Sequence, residues 1–332
     1  MKIIFDLRRV GLGNNGGSST LIKSGNALVD LGHDVIFIDG GKNQHTWTPL
    51  RAAHIIPKSN AAIPSADFII ATGYKSVATT LSAPGRLGHK CHWIRGWETW
   101  QMPESKIITN VLNTTTIKLV NSICLQRKLA KNGYPSTIIR PGYDLNDLFP
   151  NPERSRIGRK VITLGGLYTR GKHERIKRPH WIFDVYKALS NKYKIELWMF
   201  GNDAIPGGLV DHYFRRPSMD QKQYLYNGVD IWLSPAMQEG LHMPPAEAMM
   251  TGCPVVGTNA DMSGTEDYLI NDYSGLIADN NFESFLKNTE RLVNNETLRV
   301  ELGRNARKTI EDLGDRKTNM QKLIDYFMGI IT

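Results

Sequence analysis

The sequence predicts an α/β protein of two Rossmann-like, doubly wound lobes, each built on a mostly parallel β-sheet. Three observations predict this fold class. Short apolar runs alternate with longer amphipathic runs along the chain, which is typical of βαβ units. The alternation is interrupted once, by a segment rich in proline and charge, and then restarts. The length of 332 residues suits two domains of ordinary size.

The first half of the chain predicts five strands and two helices. The strands are expected at KIIFDL (2–7), DVIFID (34–39), DFIIAT (67–72), KCHWIRGW (90–97) and KLVNSI (118–123). The helices are expected at STLIKSGNALVDLG (19–32) and SICLQRKLAKNG (122–133), each ending at a glycine.

The segment RPGYDLNDLFPNPERSRIGRK (140–160), with three prolines and many charges, is the predicted linker. The predicted domains are therefore residues 1–150 and residues 151–332. After the linker, strands are predicted at KVITLGGL, IELWMFG, DIWLSP and CPVVGTN, and helices at RPHWIFDVYKALSN, SMDQKQYLYNG and PPAEAMMTG. Only helical segments are expected after these, and the last helix is a candidate for packing back on the first domain.

Composition is that of a globular protein, with 41% hydrophobic and 22% charged residues. No apolar run approaches the roughly 20 residues that cross a bilayer, and the apolar opening is too short for a signal peptide. The three cysteines lack metal-ligand spacing, which favours a reduced, cytoplasmic setting.

Positive charge is concentrated in the first half. Residues 1–150 carry 17 Lys and Arg against 9 Asp and Glu, a net charge of +8, whereas residues 151–332 carry 24 against 23. A basic cluster also follows the linker: Arg154, Arg156, Arg159, Lys160, Arg170, Lys172, Arg175, Lys177 and Arg178. Such charge either steers an anionic partner or forms a solvated surface.

The stretch GLGNNGGSST (11–20) has the Gly-x-Gly-x-x-Gly spacing of a dinucleotide-binding turn. Asp39 follows at a distance that suits the acidic residue of that motif, so an NAD-dependent oxidoreductase is one interpretation. However, Arg8 and Arg9 separate the strand from the first glycine. We prefer a loop whose backbone approaches a diphosphate closely, with a plain turn into a helix as the alternative.

The segment SPAMQEGLHMPPAEAMMTGCPVV (234–256) is more specific. Pro244 and Pro245 suit the start of a helix of about two turns, and Gly252 suits its end. Glu239 then lies on the preceding loop, and Glu247 is expected in the first turn of the helix. On separate elements, the two carboxylates can converge on one ligand. Carboxylates accept hydrogen bonds from sugar hydroxyls, and backbone amides at a helix N-terminus favour phosphate. The alternatives are an ordinary first-turn acid and a solvated loop acid.

The whole chain resembles the retaining glycosyltransferases with the GT-B fold, in family four ("group 1"). Glu239 and Glu247 match the E-x7-E signature of that family. Further similar segments are GG…L…ALVDLGHDV (16–35), IIRPGYDLNDLFP (138–150), YLYNGVDIWLSPAMQEGL (224–241) and EAMMTGCPVVGTNADMSGTEDYL (247–269). The resemblance implies two lobes facing a cleft, with the acceptor on the first lobe and a nucleotide sugar on the second.

Roles for the site residues follow from the resemblance. Glu247 is expected to hold the ribose hydroxyls of the nucleotide, and Glu239 the hydroxyls of the donor sugar. The amides of Gly240, Leu241 and His242 are expected near sugar and phosphate, and Gly16 and Gly17 against the donor diphosphate. An Arg and Lys pair is expected to neutralise that diphosphate: Arg170 is the arginine, and we prefer Lys177 over Lys172 and Arg178 as the lysine.

Two departures from the family pattern stand out. EGLHMPP replaces the usual aromatic-Gly-Leu run, so contacts to the donor sugar are expected to differ. The family's first-lobe histidine has no clear counterpart. HWIRGWETW (92–100) occupies its region and resembles a variant of rhamnan-type glycosyltransferases, with Arg95 and Glu98 as acceptor-side candidates. Its three tryptophans either stack on a ligand or fill the core.

The implied activity is transfer of a hexosyl or pentosyl group from a nucleotide-diphosphate sugar to a glycan or lipid-linked acceptor, with retention and without cofactor or metal. Three alternatives stay open at this point: a phage-type enzyme that glycosylates modified DNA bases, an NAD-dependent oxidoreductase, and a non-catalytic nucleotide-sugar-binding module. The basic first half suits an anionic acceptor (glycan, lipid-linked glycan or DNA). Cytoplasmic location is expected, with peripheral contact at the inner membrane face left open.

Overall fold

The computed structural model describes residues 1–41 and 45–332, with the backbone alone at Lys172. The chain divides into two compact units. The first comprises Met1–Gly142 together with Gly314–Thr332, and the second comprises Tyr143–Leu313. Each unit contains one parallel β-sheet.

The sheet of the first unit has the strand order β3-β2-β1-β4-β5-β6-β7. Its strands are β1 (Lys2–Leu7), β2 (Asp34–Asp39), β3 (Ala53–Ile55), β4 (Phe68–Ala71), β5 (His89–Ile94), β6 (Ile117–Val120) and β7 (Thr137–Ile138). Its α-helices are α1 (Gly16–Asp30), α2 (Tyr74–Leu81), α3 (Glu104–Ile107), α4 (Ile123–Lys131) and, from the end of the chain, α11 (Arg316–Ile331).

The strands of this sheet are apolar at consecutive positions, which is typical of a parallel sheet covered on both faces. Ile3 and Phe5 belong to the core cluster that includes residues of α1 and α11. Ile4, on the opposite face, belongs to a second cluster. The ring of Phe327 in α11 stacks on Phe68, with ring centroids 3.8 Å apart. The last helix is therefore part of the core of the first unit.

The sheet of the second unit has the order β10-β9-β8-β11-β12-β13. Its strands are β8 (Ile162–Tyr168), β9 (Ile195–Gly201), β10 (His212–Arg215), β11 (Ile231–Ser234), β12 (Val255–Thr258) and β13 (Gly275–Ala278). Its α-helices are α5 (Glu174–Lys177), α6 (Pro179–Ser190), α7 (Met219–Gly228), α8 (Met243–Met250), α9 (Phe282–Val293) and α10 (Glu296–Leu313).

Alternate strand residues of the second sheet again pack on opposite faces. Leu197 lies in the cluster with residues of α6 and α9. Its neighbour Trp198 lies in the cluster with residues of α7, α8 and α10. This two-faced packing confirms the predicted fold class of two Rossmann-like, doubly wound parallel-sheet lobes.

The structure also differs from the predicted element list. It adds β3, β7, β10, β13, α2, α3 and α5, and β13 lies where only helical segments were expected. The missed strands have two to four residues, too few for a periodic pattern to identify. The units divide after Gly142 instead of after residue 150. Residues 314–332 lie in the first unit, as expected for the last helix.

Two arginines of the predicted linker stabilise the second unit from within. Arg156 donates to the carbonyl oxygens of Tyr226, Val229 and Thr251 at 2.7–2.8 Å. These carbonyls lie at the C-terminal ends of α7 and α8, where backbone acceptors lack helical partners and positive charge is favourable. Arg159 likewise donates to Gly228 O at 2.6 Å. For these two residues, neither charge steering nor a solvated surface is the explanation.

Candidate functional site

The candidate site lies at the carboxyl edge of the second sheet. From β8 the sheet extends to one side through β9 and β10, and from β11 it extends to the other side through β12 and β13. The neighbouring strands β8 and β11 therefore form the topological switch point of the sheet. In open parallel sheets, ligands bind beside the carboxyl ends of strands at such a switch point. The loops that leave these strands, residues 169–178 and 235–242, carry Lys177 and Glu239.

An ion pair joins these two loops. The ammonium of Lys177, the last residue of α5, donates to Glu239 Oε1. Their side chains keep 21% and 19% of their surface exposed, so the pair is accessible to a ligand. The amide of Met237 also donates to Ile176 O at 2.7 Å. The sequence suggested Lys177 as a phosphate ligand, but its contact with Glu239 follows only from the tertiary structure.

The Glu239 carboxylate is stabilised as an anion. Burial alone would raise the pKa of this carboxyl, but the charge of Lys177, its hydrogen bond and the neighbouring His242 outweigh burial and lower the pKa below its ordinary value. Glu239 is therefore ionised at neutral pH and can accept hydrogen bonds from hydroxyl groups.

The backbone of the 235–242 loop is fixed by the segment after β12. Glu239 N donates to Met262 O at 2.7 Å, and His242 N donates to Gly264 O at 2.9 Å. Gly264 has φ +73°, and a Cβ there would lie 2.7 Å from Glu239 Cβ, so only glycine fits. The amide of His242 thus already donates its hydrogen within the protein, and the place of the 240–242 amides near sugar and phosphate stays a prediction. Leu241 is buried and packs in the core, and Gly240 lies between Glu239 and Leu241 on this loop.

The imidazole of His242 is the functional group that sequence reasoning missed. It is 5% exposed, its Nδ1 lies 3.1 Å from Ser234 Oγ, and its Nε2 lies 3.8 Å from Glu239 Oε1. Burial lowers the pKa of His242 to about 4, because Glu239 and Glu247 only partly offset desolvation and the charge of Lys177. The ring is neutral at pH 7. In the sequence, the imidazole was indicated by EGLHMPP, the segment that replaces the usual aromatic-Gly-Leu run of the family.

Glu247 lies in the second turn of α8, not in the first as predicted. The helix begins at Met243, one residue before the first proline, and His242 is its N-cap. Glu247 accepts from Lys222 Nζ at 2.9 and 3.1 Å and from Tyr226 Oη at 2.6 Å. Lys222 and Tyr226 stand one turn apart on α7, so one face of that helix orients the carboxylate. The predicted helix of about two turns, ending before Gly252, is confirmed.

The two carboxylates lie on different elements, as predicted, and each is in an ion pair. Glu247 retains 15% exposure of its side chain, slightly less than Glu239. Both carboxylates favour the protonated form of His242, although burial and the charge of Lys177 outweigh them and keep its pKa low. The arrangement offers two anionic acceptors, each next to a lysine, beside the switch point. It suits a ligand that carries hydroxyl groups and negative charge.

The other predicted cations lie on the loop after β8. The amide of Arg170 donates to Asp203 Oδ2 at 2.9 Å, and its side chain is exposed. Arg178 donates to Asn280 Oδ1 at 2.7 Å and stacks over the ring of Trp181. Lys172 cannot be compared, since its side chain lies outside the described part of the chain. Of Lys177 and Arg178, Lys177 is the one that contacts a site carboxylate.

In the first unit, the predicted glycine loop leads directly into α1. Asn15 caps the helix by accepting from Ser18 N at 2.9 Å. Gly16 and Gly17 are therefore the first two residues of α1. Arg95 donates to Gly17 O at 2.5 Å and to Thr72 O at 3.1 Å. Its guanidinium thus holds one backbone carbonyl in the first turn of α1 and one in the segment after β4.

Glu98 lies at the N-terminus of α2, where it accepts from Tyr74 N at 3.4 Å. Burial raises the pKa of Glu98, and the Tyr74 amide and Arg95 only partly compensate. Trp93 and Trp97 are buried in the core, whereas Trp100 is 40% exposed. Core packing therefore explains two of the three tryptophans in this segment.

The contacts of Asp39 disfavour a dinucleotide site. Its carboxylate is 1% exposed and accepts from His54 Nε2 at 2.8 Å and Gly41 N at 2.6 Å. Arg8, at the end of β1, pairs with Asp6 at 2.7 Å. A dinucleotide needs an acidic side chain open to its ribose at the end of the second strand, and Asp39 is enclosed.

Residues 206–309 match the family of glycosyl transferases group 1. The matched segment includes Glu239, His242 and Glu247, together with Lys222 and Tyr226. It does not include the loop that carries Lys177. The site built from the geometry and the segment matched by the family therefore coincide over α7, the 235–242 loop and α8.

Two curated proteins are similar to this chain. One is an uncharacterized glycosyltransferase of Haemophilus influenzae, 24% identical over 230 residues, which cover 66% of this chain and 62% of that protein. The other is the capsular polysaccharide biosynthesis glycosyltransferase CapM of Staphylococcus aureus, 32% identical over 154 residues, 43% of this chain and 40% of that protein. The chain thus spans less than two thirds of the curated relatives that it matches.

Among solved structures, the Anabaena protein HepE in complex with UDP-glucose is similar, with a TM-score of 0.76 over 99% of this chain and 100% of that one, at 14% identity. Sucrose-phosphate synthase from Thermosynechococcus elongatus is similar too, with a TM-score of 0.74 over 100% and 99% at 13% identity. These similarities show the GT-B fold. Within residues 1–41 and 45–332, no helix is both long and apolar enough to cross a membrane.

Proposed function

We propose that this protein is a retaining glycosyltransferase that transfers a sugar from a nucleotide-diphosphate sugar to a glycan or lipid-linked glycan acceptor. The observation that carries the proposal is the Lys177–Glu239 ion pair beside Glu247 at the switch point of the second sheet. The match of residues 206–309 supports it, as does HepE, a protein of the same fold that was solved with UDP-glucose.

Each charged group has a distinct task in this proposal. Glu247, held by Lys222 and Tyr226, accepts hydrogen bonds from the ribose hydroxyls. Glu239 accepts a hydrogen bond from the sugar. Lys177 and Arg170 stabilise the negative charge of the leaving diphosphate. The roles of Gly16 and Gly17 against the diphosphate, and of Arg95 and Glu98 towards the acceptor, stay predictions.

The chemistry needs electrostatic stabilisation above all. The bond between the anomeric carbon and the phosphate oxygen breaks, a bond to the acceptor oxygen forms on the same face, and the proton of the acceptor hydroxyl passes to the departing phosphate oxygen. Negative charge grows on the diphosphate, so Lys177, fixed in advance by Glu239, stabilises the transition state more than the ground state. Glu239, in turn, is an anion near the sugar, on which positive charge grows.

A thermal-shift screen against UDP-, GDP-, ADP- and dTDP-sugars tests the proposal first. A bound donor raises the melting temperature by mass action, and transfer or slow hydrolysis of that donor then establishes the activity. Binding without any turnover would favour the non-catalytic binding module. Quenching of NADH fluorescence instead of a nucleotide-sugar shift would favour the oxidoreductase, which the enclosed Asp39 disfavours.

The acceptor is tested separately. A glycan acceptor is preferred over DNA, because the WIRGWETW segment resembles enzymes that act on glycans. The net charge of +8 in residues 1–150 is what keeps DNA as the alternative. Binding of duplex DNA that weakens steeply with salt would favour the DNA-modifying activity. Transfer to lipid-linked oligosaccharide without DNA binding would favour the glycan.

A further inference from the structure

The His242 imidazole has a polar atom with no protein partner. Within the described residues, Nε2 makes no hydrogen bond, although the ring is 5% exposed. A buried polar atom left without a partner is energetically unfavourable, so such an atom beside a candidate site points to a ligand. The nearest carboxylate oxygen, Glu239 Oε1, is 3.8 Å away, which is too far for a hydrogen bond.

The tautomer of the ring follows from its surroundings. Nδ1 faces the hydroxyl of Ser234, which can either donate or accept. Nε2 faces the anionic Glu239. A lone pair on Nε2 would point at a negative charge, whereas an Nε2 hydrogen would be attracted to it. The favoured state therefore has Ser234 donating to Nδ1, and Nε2 carrying the hydrogen towards Glu239.

These two atoms are close enough to each other for one hydroxyl group to bridge them. A hydroxyl oxygen about 2.8 Å from each atom lies to one side of the line between the donor and the acceptor, which are 3.8 Å apart. The hydroxyl would accept from Nε2 and donate to Oε1. Lys177 donates to the same oxygen, Oε1, and a carboxylate oxygen has about two acceptor positions.

We propose that His242 and Glu239 together hold one hydroxyl of the transferred sugar, with Nε2 donating to it and Oε1 accepting its hydrogen. This inference rests on the proposed function and deepens it. His242 is then a specificity-determining residue that selects donors with a hydroxyl at one ring position. It lies where this chain departs from the usual family pattern, so the selection is a property of this protein.

Burial keeps the His242 imidazole uncharged near neutral pH. Because the pKa of His242 is lowered to about 4, the ring stays a single-hydrogen donor at neutral pH. The charged groups that face it are Glu239, Lys177 and Glu247. Ser234, at the end of β11, is its positioning residue.

Calorimetric titration of two ligand pairs, UDP with UDP-glucose and GDP with GDP-mannose, tests the inference. In His242→Ala, we expect affinity for the nucleotide sugar to fall roughly tenfold or more, and affinity for the matching nucleoside diphosphate to stay within about twofold. His242→Gln, whose amide can still donate a hydrogen bond, should lose less affinity for the nucleotide sugar than His242→Ala does. His212→Ala, at the opposite edge of the same sheet, is the matched control and should change neither affinity.

Monodeoxy analogues of the bound donor identify the hydroxyl. The full-length wild-type protein should lose roughly tenfold in affinity with one analogue, and His242→Ala should no longer distinguish that analogue from the parent sugar. The inference is overturned if every deoxy analogue binds the wild type like its parent. It is also overturned if, in both His242→Ala and His242→Gln, the nucleotide sugar and the matching nucleoside diphosphate lose affinity by the same factor. A wild type that binds neither pair, nor any donor of the thermal-shift screen, contradicts the proposed function as well.

Discussion

The ammonium of Lys177 and the carboxylate of Glu239 meet across two loops that leave neighbouring strands of the second sheet. Each loop follows a parallel strand, so both side chains arrive at the same sheet edge although 62 residues separate them. The pair fixes a positive charge at the place where ligands of open α/β sheets bind. The predictions below about activity and ligand binding all concern this site.

Removing the lysine should affect turnover more than binding. We expect Lys177→Ala to lower kcat by roughly 10²–10³, the usual effect of losing one preorganised charge-stabilising group, with a smaller change in KM for the donor. Steady-state transfer with the donor identified by thermal shift measures both. Arg175→Ala, an exposed cation in the same short helix, is the control. Equal losses in both variants would contradict a specific role for Lys177.

Glu247 should act on the nucleotide and not on the sugar. We expect Glu247→Ala to weaken a nucleoside diphosphate and its sugar conjugate by the same factor, roughly tenfold to hundredfold. Tyr226→Phe should weaken both by a smaller factor, because Lys222 still orients the carboxylate. Calorimetry measures both affinities, and the exposed Glu283 provides the control variant Glu283→Ala. A loss confined to the sugar conjugate would assign Glu247 to the sugar instead.

Arg156 should be needed for stability. We expect Arg156→Ala to lower the free energy of unfolding by about 2–4 kcal/mol, since three backbone carbonyls at helix ends lose their donor. Denaturant unfolding measures the change, and Lys160→Ala, an exposed cation four residues away, should change stability little. Similar free energies of unfolding for the two variants would mean that Arg156 is an ordinary solvated surface residue.

Acid should destabilise the protein through a buried histidine of the first unit. Burial, with the charges of Lys118 and Arg95, lowers the pKa of His92 to about 3, far below the ordinary value near 6.5. Between these values the unfolded chain binds a proton that the folded chain does not. Each such group therefore makes the free energy of unfolding fall by about 1.4 kcal/mol per pH unit as the pH decreases.

His92→Leu should reduce that pH dependence. Denaturant unfolding between pH 6 and 4.5, two conditions inside the window, should give a shallower slope in the variant by about 1.4 kcal/mol per pH unit. His180→Leu removes an exposed histidine and should leave the slope unchanged. An unaltered slope in His92→Leu would mean that the ring is accessible to protons in the folded state.

Transfer should not require a divalent metal. In the proposed mechanism Lys177 and Arg170 supply the positive charge that neutralises the diphosphate, a task that a metal ion performs in other enzymes. Activity measured after treatment with EDTA should equal untreated activity, and added Mg²⁺ or Mn²⁺ should not restore the Lys177→Ala variant. A loss on chelation that Mg²⁺ reverses would show that a metal takes part.

Long periodic segments were predictable because their periodicity reflects burial alone. The strands at 2–7, 34–39 and 195–201 are where the apolar pattern places them. The α8 helix was predicted from Pro244, Pro245 and Gly252. The start of α8 was missed by one residue, since His242 and not a proline-flanking residue caps the helix. That shift moved Glu247 from the first turn to the second. Short edge strands such as β3 and β7 carry too few residues for a pattern.

The sequence by itself determined the two parallel-sheet lobes and the pair Glu239 and Glu247 on separate elements, because both follow from local order along the chain. Only the tertiary structure decided which groups those carboxylates face: Lys177 and His242 for Glu239, Lys222 and Tyr226 for Glu247. Partners on other elements are set by strand order and loop packing. A local pattern of residues contains neither.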